Sequence, residues 1–291
     1  MSLKSDTVVV PIAALIVAIV CFQVGAAMAK GLFPAVGAAG AAALRLALAS
    51  IMLLAVWRPW RMRLRPREIR VIVIYGLAMG WMNFFFYLSL RSIPLGIAVA
   101  LEFTGPLGLA MAASRRAIDF LWILMAGLGL VALLPLGLGS KPLDVLGVGC
   151  ALAAGLCWAL YIFFGRKAGA AHGGQTTALG MVVGAIVIVP FGAAQSGAQL
   201  FSPAILPVAL TVALLSSALP YSLEMLAMPR LPTRTVGVLM SLDPAFGALS
   251  GLFFLGEHLS WIQWAAIASI MAASAGSAAT SRSATPQLLP E

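Results

Sequence analysis

The feature that most restricts this chain is the recurrence of apolar runs about twenty residues long, nearly free of charge and separated by short clusters of Pro, Gly and basic residues. A hydrocarbon core of about 30 Å needs about 20 helical residues, and the chain divides well at that length. Composition agrees. The 291 residues are 62% hydrophobic and 9% charged, with a mean hydropathy of +1.04, whereas a soluble domain carries roughly 25% charged residues because its surface faces water. The net charge of +9 does not point to nucleic acid, because the basic residues are scattered between apolar runs and form no amphipathic face.

Ten spans are expected, at about 8–29, 36–57, 71–91, 93–114, 118–138, 145–165, 176–195, 204–228, 233–255 and 261–279. The first is long enough to span and is followed by others, so it reads as a retained helix and not a cleaved signal peptide. Residues 281–291 show no periodicity and are expected to form a disordered tail. An even number of spans puts both termini on one side. With the N-terminus inside, fourteen Lys and Arg fall on the cytoplasmic side, three (Lys30, Arg91, Lys141) on the other, and Arg45 on neither. That bias places both termini in the cytoplasm under the positive-inside rule.

The chain is also written twice. "CFQVGAAMAK" from Cys21 matches "CWALYIFFGR" from Cys157 at an offset of 136, and "PLGIAVALEFTGP" from Pro94 matches "PTRTVGVLMSLDP" from Pro232 at 138. At the second offset Asp119 falls on Glu257. Two halves follow, 8–140 and 141–280, each with five spans. Five is odd, so the second half enters the membrane inverted, an arrangement used by transporters with a site near the midplane between halves. The fold class expected is an all-α membrane protein of ten transmembrane helices in two inverted five-helix repeats.

Four ionisable residues lie within the spans: Arg45, Glu102, Glu224 and Asp243. A charge at that depth is costly and usually faces a cavity or a partner. Arg45 and Glu102 each sit about nine residues into a span, roughly 13 Å at 1.5 Å per residue, and Asp243 reaches the same plane from the other side. A buried carboxylate exchanges a proton when its surroundings change, so Glu102 or Asp243 suits a proton site; either also suits a substrate ammonium. Arg45 offers a planar donor fork to a substrate carboxylate or, as an internal ion pair, to Glu102. Glu224 lies near the cytoplasmic end of its span and either reaches the headgroups or forms an inner gate or proton exit. Asn83, Tyr87 and Tyr221 either line the cavity or bond between helices. Gly105 with Pro106 behind Glu102, Pro244 behind Asp243, and Pro220 before Tyr221 are expected to break their helices and free carbonyl groups toward the cavity. Ser269, Ala272 and Gly276 read as a packing face within the bundle or between protomers.

No phosphate loop, paired-carboxylate motif or nucleophile elbow occurs, and the two histidines, His172 and His258, fall in loops. Cys150 and Cys157 are two helical turns apart, too far for a disulfide, and no His accompanies them at metal-ligand spacing. Neither enzyme, metal site nor cofactor is expected, and the energy for movement would come from an ion gradient.

Together with this layout, "FLGEHLSWIQW" from Phe254 resembles the EamA branch of the drug/metabolite transporter superfamily. "VGAAGAAALRLALA", "PLGIAVALEFTGPLGLA", "ALPYSLEMLAMPRLPTRT" and "LMSLDPAFGALSGLFFLGE" are similar to its bacterial threonine/homoserine-exporting members, over roughly Pro11 to Thr280. The resemblance implies an inner-membrane permease, monomer or homodimer, that expels homoserine, threonine and related amino acids in exchange for protons; a permease of the same branch for another metabolite or drug is the alternative. The acid before Pro244 is Asp243 where the resemblance leads one to expect Glu, which keeps the charge and shortens its reach. A zwitterion needs one cation and one anion at matched depth, and Arg45 with Glu102 supply them, Asp243 being the pseudo-symmetric partner.

Overall fold

A helix satisfies its backbone hydrogen bonds within itself where lipid offers none, and in the computed structural model all regular structure among the described residues, 6–112, 117–133, 143–169 and 173–280, is helical. The helices are α1 (Asp6–Lys30), α2 (Phe33–Trp57), α3 (Pro66–Ser89), α4 (Leu95–Ala112), α5 (Ala117–Leu133), α6 (Val145–Gly169), α7 (Gly174–Ser196), α8 (Leu206–Ala213), α9 (Leu219–Ala227), α10 (Thr233–Met240), α11 (Asp243–Leu255) and α12 (Trp261–Thr280). Eight segments among them are long and apolar enough to cross a membrane, and Leu95–Ala110 and Phe120–Leu133 are shorter apolar helices. The bundle turns outward large apolar side chains such as Ile51, Leu124, Ile186 and Phe253, as a surface bathed in lipid does.

Two expected spans are not single helices. The segment from Leu206 contains a π-helical stretch, Leu214–Ala218, between α8 and α9. The segment from Thr233 breaks at Ser241 and Leu242, and α11 restarts at Asp243 with Pro244 in its first turn, the place where a proline's missing N–H costs nothing. The third span begins earlier than expected, at Pro66, because Glu68 Oε2 accepts the Arg65 N–H at 2.7 Å and closes a capping box. Hydropathy does not register that signal, since the first turn carries charge, Arg67 and Glu68.

The helix expected to break at Gly105 and Pro106 does not: α4 runs unbroken from Leu95 to Ala112. Pro106 removes only the donor to the Glu102 carbonyl four residues back, and Gly155 of α6 abuts that same carbonyl, while Gly105 faces the Gly155 backbone. The glycine pair lets two helices meet backbone to backbone, the usual device for holding helices together where lipid removes the hydrophobic drive.

The most extensive packing joins α2 with α7 and α3 with α6; α1 lies along α9, α4 on α11, and α5 on α12. On the last of these seams Ser269 Oγ–H donates to the Met125 carbonyl at 2.7 Å and Gly276 sits under the Trp122 ring, so these two residues of the small-residue face serve packing within the bundle. Ala272 is exposed. Lys141, Arg115, Arg116, His172 and the tail 281–291 lie outside the described residues, as do the side chains of Asp119, Arg166 and Lys167.

Candidate functional site

Among the described residues, four charged side chains are buried, each no more than 7% exposed: Arg45, Glu102, Glu224 and Asp243. They come from α2, α4, α9 and α11, and two of them, Glu102 and Asp243, lie on the helices that cross at the α4–α11 seam. Gly96 of α4 packs on Ala248 and Val99 on Gly247. Glu102 lies one turn beyond Val99 and Asp243 one turn before Gly247, so the two carboxylates face the same seam. Both Glu102 and Glu224 feel the Asp243 charge, and Glu102 also feels Arg45.

No ion pair joins Arg45 to Glu102. Arg45 instead turns the side of its guanidinium to the π-helical stretch: Nε–H donates to Ser217 Oγ at 2.7 Å and Nη2–H to the Ser216 carbonyl. A π-turn shifts its carbonyls out of the regular ladder, and here one of them becomes an acceptor for the buried cation. The guanidinium carbon also stands 5.3 Å from the centre of the Tyr87 ring, within cation–π range. Tyr87 is fully buried, and its hydroxyl has no hydrogen-bond partner. Spacing along the sequence led to an expected common depth for Arg45 and Glu102, but depth says nothing of rotation about the helix axis.

Glu224 is buried within the bundle. It is 5% exposed, beside Tyr75, Tyr161 and Tyr221, and its Oε1 has no hydrogen-bond partner. Tyr75 and Tyr161 stack with centroids 4.7 Å apart, and Tyr221 meets Phe22 edge to face at 5.0 Å. Asn83 donates from Nδ2 to the Met79 carbonyl at 2.8 Å and is a side-chain partner of Tyr221. Asn83, Tyr87 and Tyr221 thus border the charged cluster and also tie helices together. Pro220 lies in the first turn of α9, directly after the π-helical stretch.

Three elements of this region were not foreseen from the sequence. Gln23 donates from Nε2 to Asp243 Oδ1 at 3.0 Å. Ser216 and Ser217 hold Arg45. Glu257, in the "FLGE" segment, pairs with Lys30 at 2.6 Å and accepts the Leu95 N–H at 2.7 Å, binding the end of α1 and the start of α4 to the loop before α12. A buried Gln inside an apolar run was the available signal for the first; hydroxyls and a loop carboxylate carry none.

A cavity of about 310 Å³ opens elsewhere, between α2, α7 and the segment leading into α8. Its lining, including Ala43, Leu48, Val189 and Ile205, is apolar but for Ser202 and includes none of the four charges.

Residues 145–278 match the EamA-like transporter family. Over 272 residues the chain is 53% identical to the threonine/homoserine exporter RhtA of Salmonella typhimurium strain LT2, covering 94% of this chain and 92% of that protein. Over 281 residues it is 52% identical to the threonine/homoserine exporter RhtA of Escherichia coli strain K12, covering 97% and 95%. A solved crystal structure superposes with a TM-score of 0.58 at 20% identity, covering 95% of this chain and 97% of that one, which is a likeness of fold.

Proposed function

Because the chain belongs to the EamA-like transporter family, we propose that it exports small hydroxylated amino acids, threonine and homoserine among them, across the bacterial inner membrane in exchange for protons. The family's members are transporters and not enzymes, so the buried charges serve movement of a solute. The carrying observation is the balance of buried charge: three carboxylates, Glu102, Glu224 and Asp243, against one guanidinium, which Ser216 and Ser217 already hold. Unpaired buried charge costs several kcal/mol. The excess negative charge is therefore neutralised either by protons or by a substrate ammonium, and the two compete for the same carboxylates. Such competition is what antiport requires: the amino acid enters as protons leave, and protons displace it on the other side.

Within this reading Glu102 and Asp243, across the α4–α11 seam, take the ammonium or the proton, and Glu224 relays the proton toward the tyrosines. Arg45 has its side-on edge engaged on the π-turn, and its end-on edge meets the substrate carboxylate. That division suits a zwitterion, since the guanidinium fork matches a carboxylate in geometry.

Ten spans in two inverted halves complete the reading. Exchanging each span with the one five places later maps the α2–α7, α4–α11 and α5–α12 seams onto themselves and the α3–α6 seam onto that of α1 with α8 and α9, and all of these are major seams of the bundle. This pairing supports an inverted repeat, and the basic residues support cytoplasmic termini. The Lys30–Glu257 clasp would then close the outer face, and rocking of one half against the other would open it.

Reconstitution in proteoliposomes with an imposed pH gradient tests the proposal. Wild-type protein is expected to drive labelled threonine against its gradient, and Glu102→Gln to lose proton-driven movement. Full proton-coupled export by Glu102→Gln would overturn it.

A further inference from the structure

Gln23 lies on α1 within "CFQVGAAMAK", a segment whose repeat partner carries no amide at the corresponding place. It is 6% exposed, and burying an amide among apolar helices is costly unless its groups are paired. One end is paired: Nε2–H donates to Asp243 Oδ1 at 3.0 Å. The other is not: Oε1 is buried without a hydrogen-bond partner. Its orientation follows from the donor, because only the NH₂ group can serve a carboxylate acceptor.

Oε1 points toward the crossing of α4 and α11. A methyl group at Gly247 would stand 3.3 Å from it and 3.0 Å from Val99 Cγ2, so the absence of a side chain at Gly247 leaves room beside the amide oxygen. On another face of α1, Gly25 lies against the backbone of Ser216, which brings the helix onto the π-turn that holds Arg45. Gln23 itself stands beside the anionic part of the site, at Asp243.

From this geometry we infer that Gln23 is a specificity-determining residue, its Oε1 accepting a hydrogen bond from the side-chain hydroxyl of the transported amino acid. The inference rests on the amino-acid export proposed above and adds to it the group that reads the substrate's side chain. The division of labour follows from charge. The ammonium is best served by the carboxylates, whose hydrogen bonds are charge-assisted. A neutral amide oxygen is left for a neutral donor, and a hydroxyl is that donor. A site built around a buried acceptor rejects an analogue lacking the donor much more strongly than an apolar pocket rejects a change of size, because the acceptor is left unpaired.

The test compares accumulation of labelled homoserine in everted vesicles, into which an exporter pumps, under competition by unlabelled homoserine, by its O-methyl ether, which cannot donate, and by 2-aminobutyrate, which lacks the oxygen. For wild-type protein the ether and 2-aminobutyrate are expected to compete at least about tenfold more weakly than homoserine, as one lost hydrogen bond to a buried acceptor implies. Gln23→Met, of similar volume without an acceptor, is expected to bring the three within about threefold of one another; Gln23→Ala serves the same comparison if the Met variant does not accumulate. Equal competition in wild-type protein overturns the inference, and so does a variant that keeps the discrimination. A parallel loss of all three substrates in the variant also overturns it, leaving Gln23 as a positioning residue for Asp243. Absence of homoserine and threonine export from wild-type protein would instead fail the amino-acid reading itself.

Discussion

Lys30 Nζ stands 2.6 Å from Glu257 Oε1, joining the end of α1 to the loop before α12, which lies 227 residues further along the chain. The second carboxylate oxygen accepts the Leu95 N–H, one of the amides that a helix start leaves without an internal partner. One side chain thus performs two tasks of unequal worth. A partly exposed ion pair contributes about 1 kcal/mol or less, whereas an orphaned amide at a part-buried helix start costs about 1–3 kcal/mol. Lys30→Met is expected to lower the midpoint of thermal unfolding in detergent slightly, and Glu257→Ala distinctly more. Equal shifts in the two variants would show that capping of α4 contributes nothing.

The α4–α6 crossing makes a sharper prediction. Gly155 abuts the Glu102 carbonyl and Gly105 the Gly155 backbone, whereas Gly108, three residues on, has open space around it. Gly155→Val is expected to force the helices apart at a cost of about 3 kcal/mol or more, read as loss of the monodisperse peak in size-exclusion chromatography. Gly108→Ala is expected to leave that peak intact and to gain up to about 1 kcal/mol from helix propensity.

Arg45 should not tolerate lysine. The ammonium keeps the charge but cannot present Nε–H and Nη2–H side by side to Ser217 Oγ and the Ser216 carbonyl. Export by Arg45→Lys is expected to fall about tenfold or more, since one charge-assisted hydrogen bond is worth about 1.5–3 kcal/mol. Ser217→Ala, which keeps the guanidinium and the carbonyl acceptor, is expected to fall by about threefold. Unchanged export in Arg45→Lys would show that charge alone matters there.

Outside the spans, Asp144 sets a pH signature. The Ser92 hydroxyl donates to its Oδ2 at 2.7 Å and the Gly147 amide at 2.8 Å, and these bonds, that from Ser92 first, hold the carboxyl below its ordinary range. A carboxyl lowered in the folded state contributes stability above its unfolded pKa, about 3.9, and loses it as pH falls through the lowered value. The stability gap between wild-type protein and Asp144→Ala, followed by thermal unfolding from about pH 6 to pH 3, is expected to be constant at the upper end and to narrow at the lower. A gap that stays constant over the whole range would exclude the ionised carboxylate as its source.

Much of this protein is legible in its residues alone. Apolar runs of spanning length follow from the energetics of lipid, and the rarity of charge within them singled out Arg45, Glu102, Glu224 and Asp243, all four of which are buried. The proline in the first turn of α11 marked a true break, because Pro244 starts a helix. The proline in α4 marked none, because it removes a single donor and Gly155 covers the carbonyl it frees.

What the sequence by itself determined is the class of molecule and which charges fall inside apolar runs: hydropathy is a property of one helix and needs no neighbour. Which groups meet was decided only by tertiary structure. Arg45 turned to the π-turn at Ser216 and Ser217 and not to Glu102, Gln23 reached Asp243 across 220 residues, and Glu257 closed on Lys30. Each of these depends on how two helices are rotated and how closely their backbones approach. That is set by small residues and local irregularities acting in pairs, and no single stretch of sequence contains both members of such a pair.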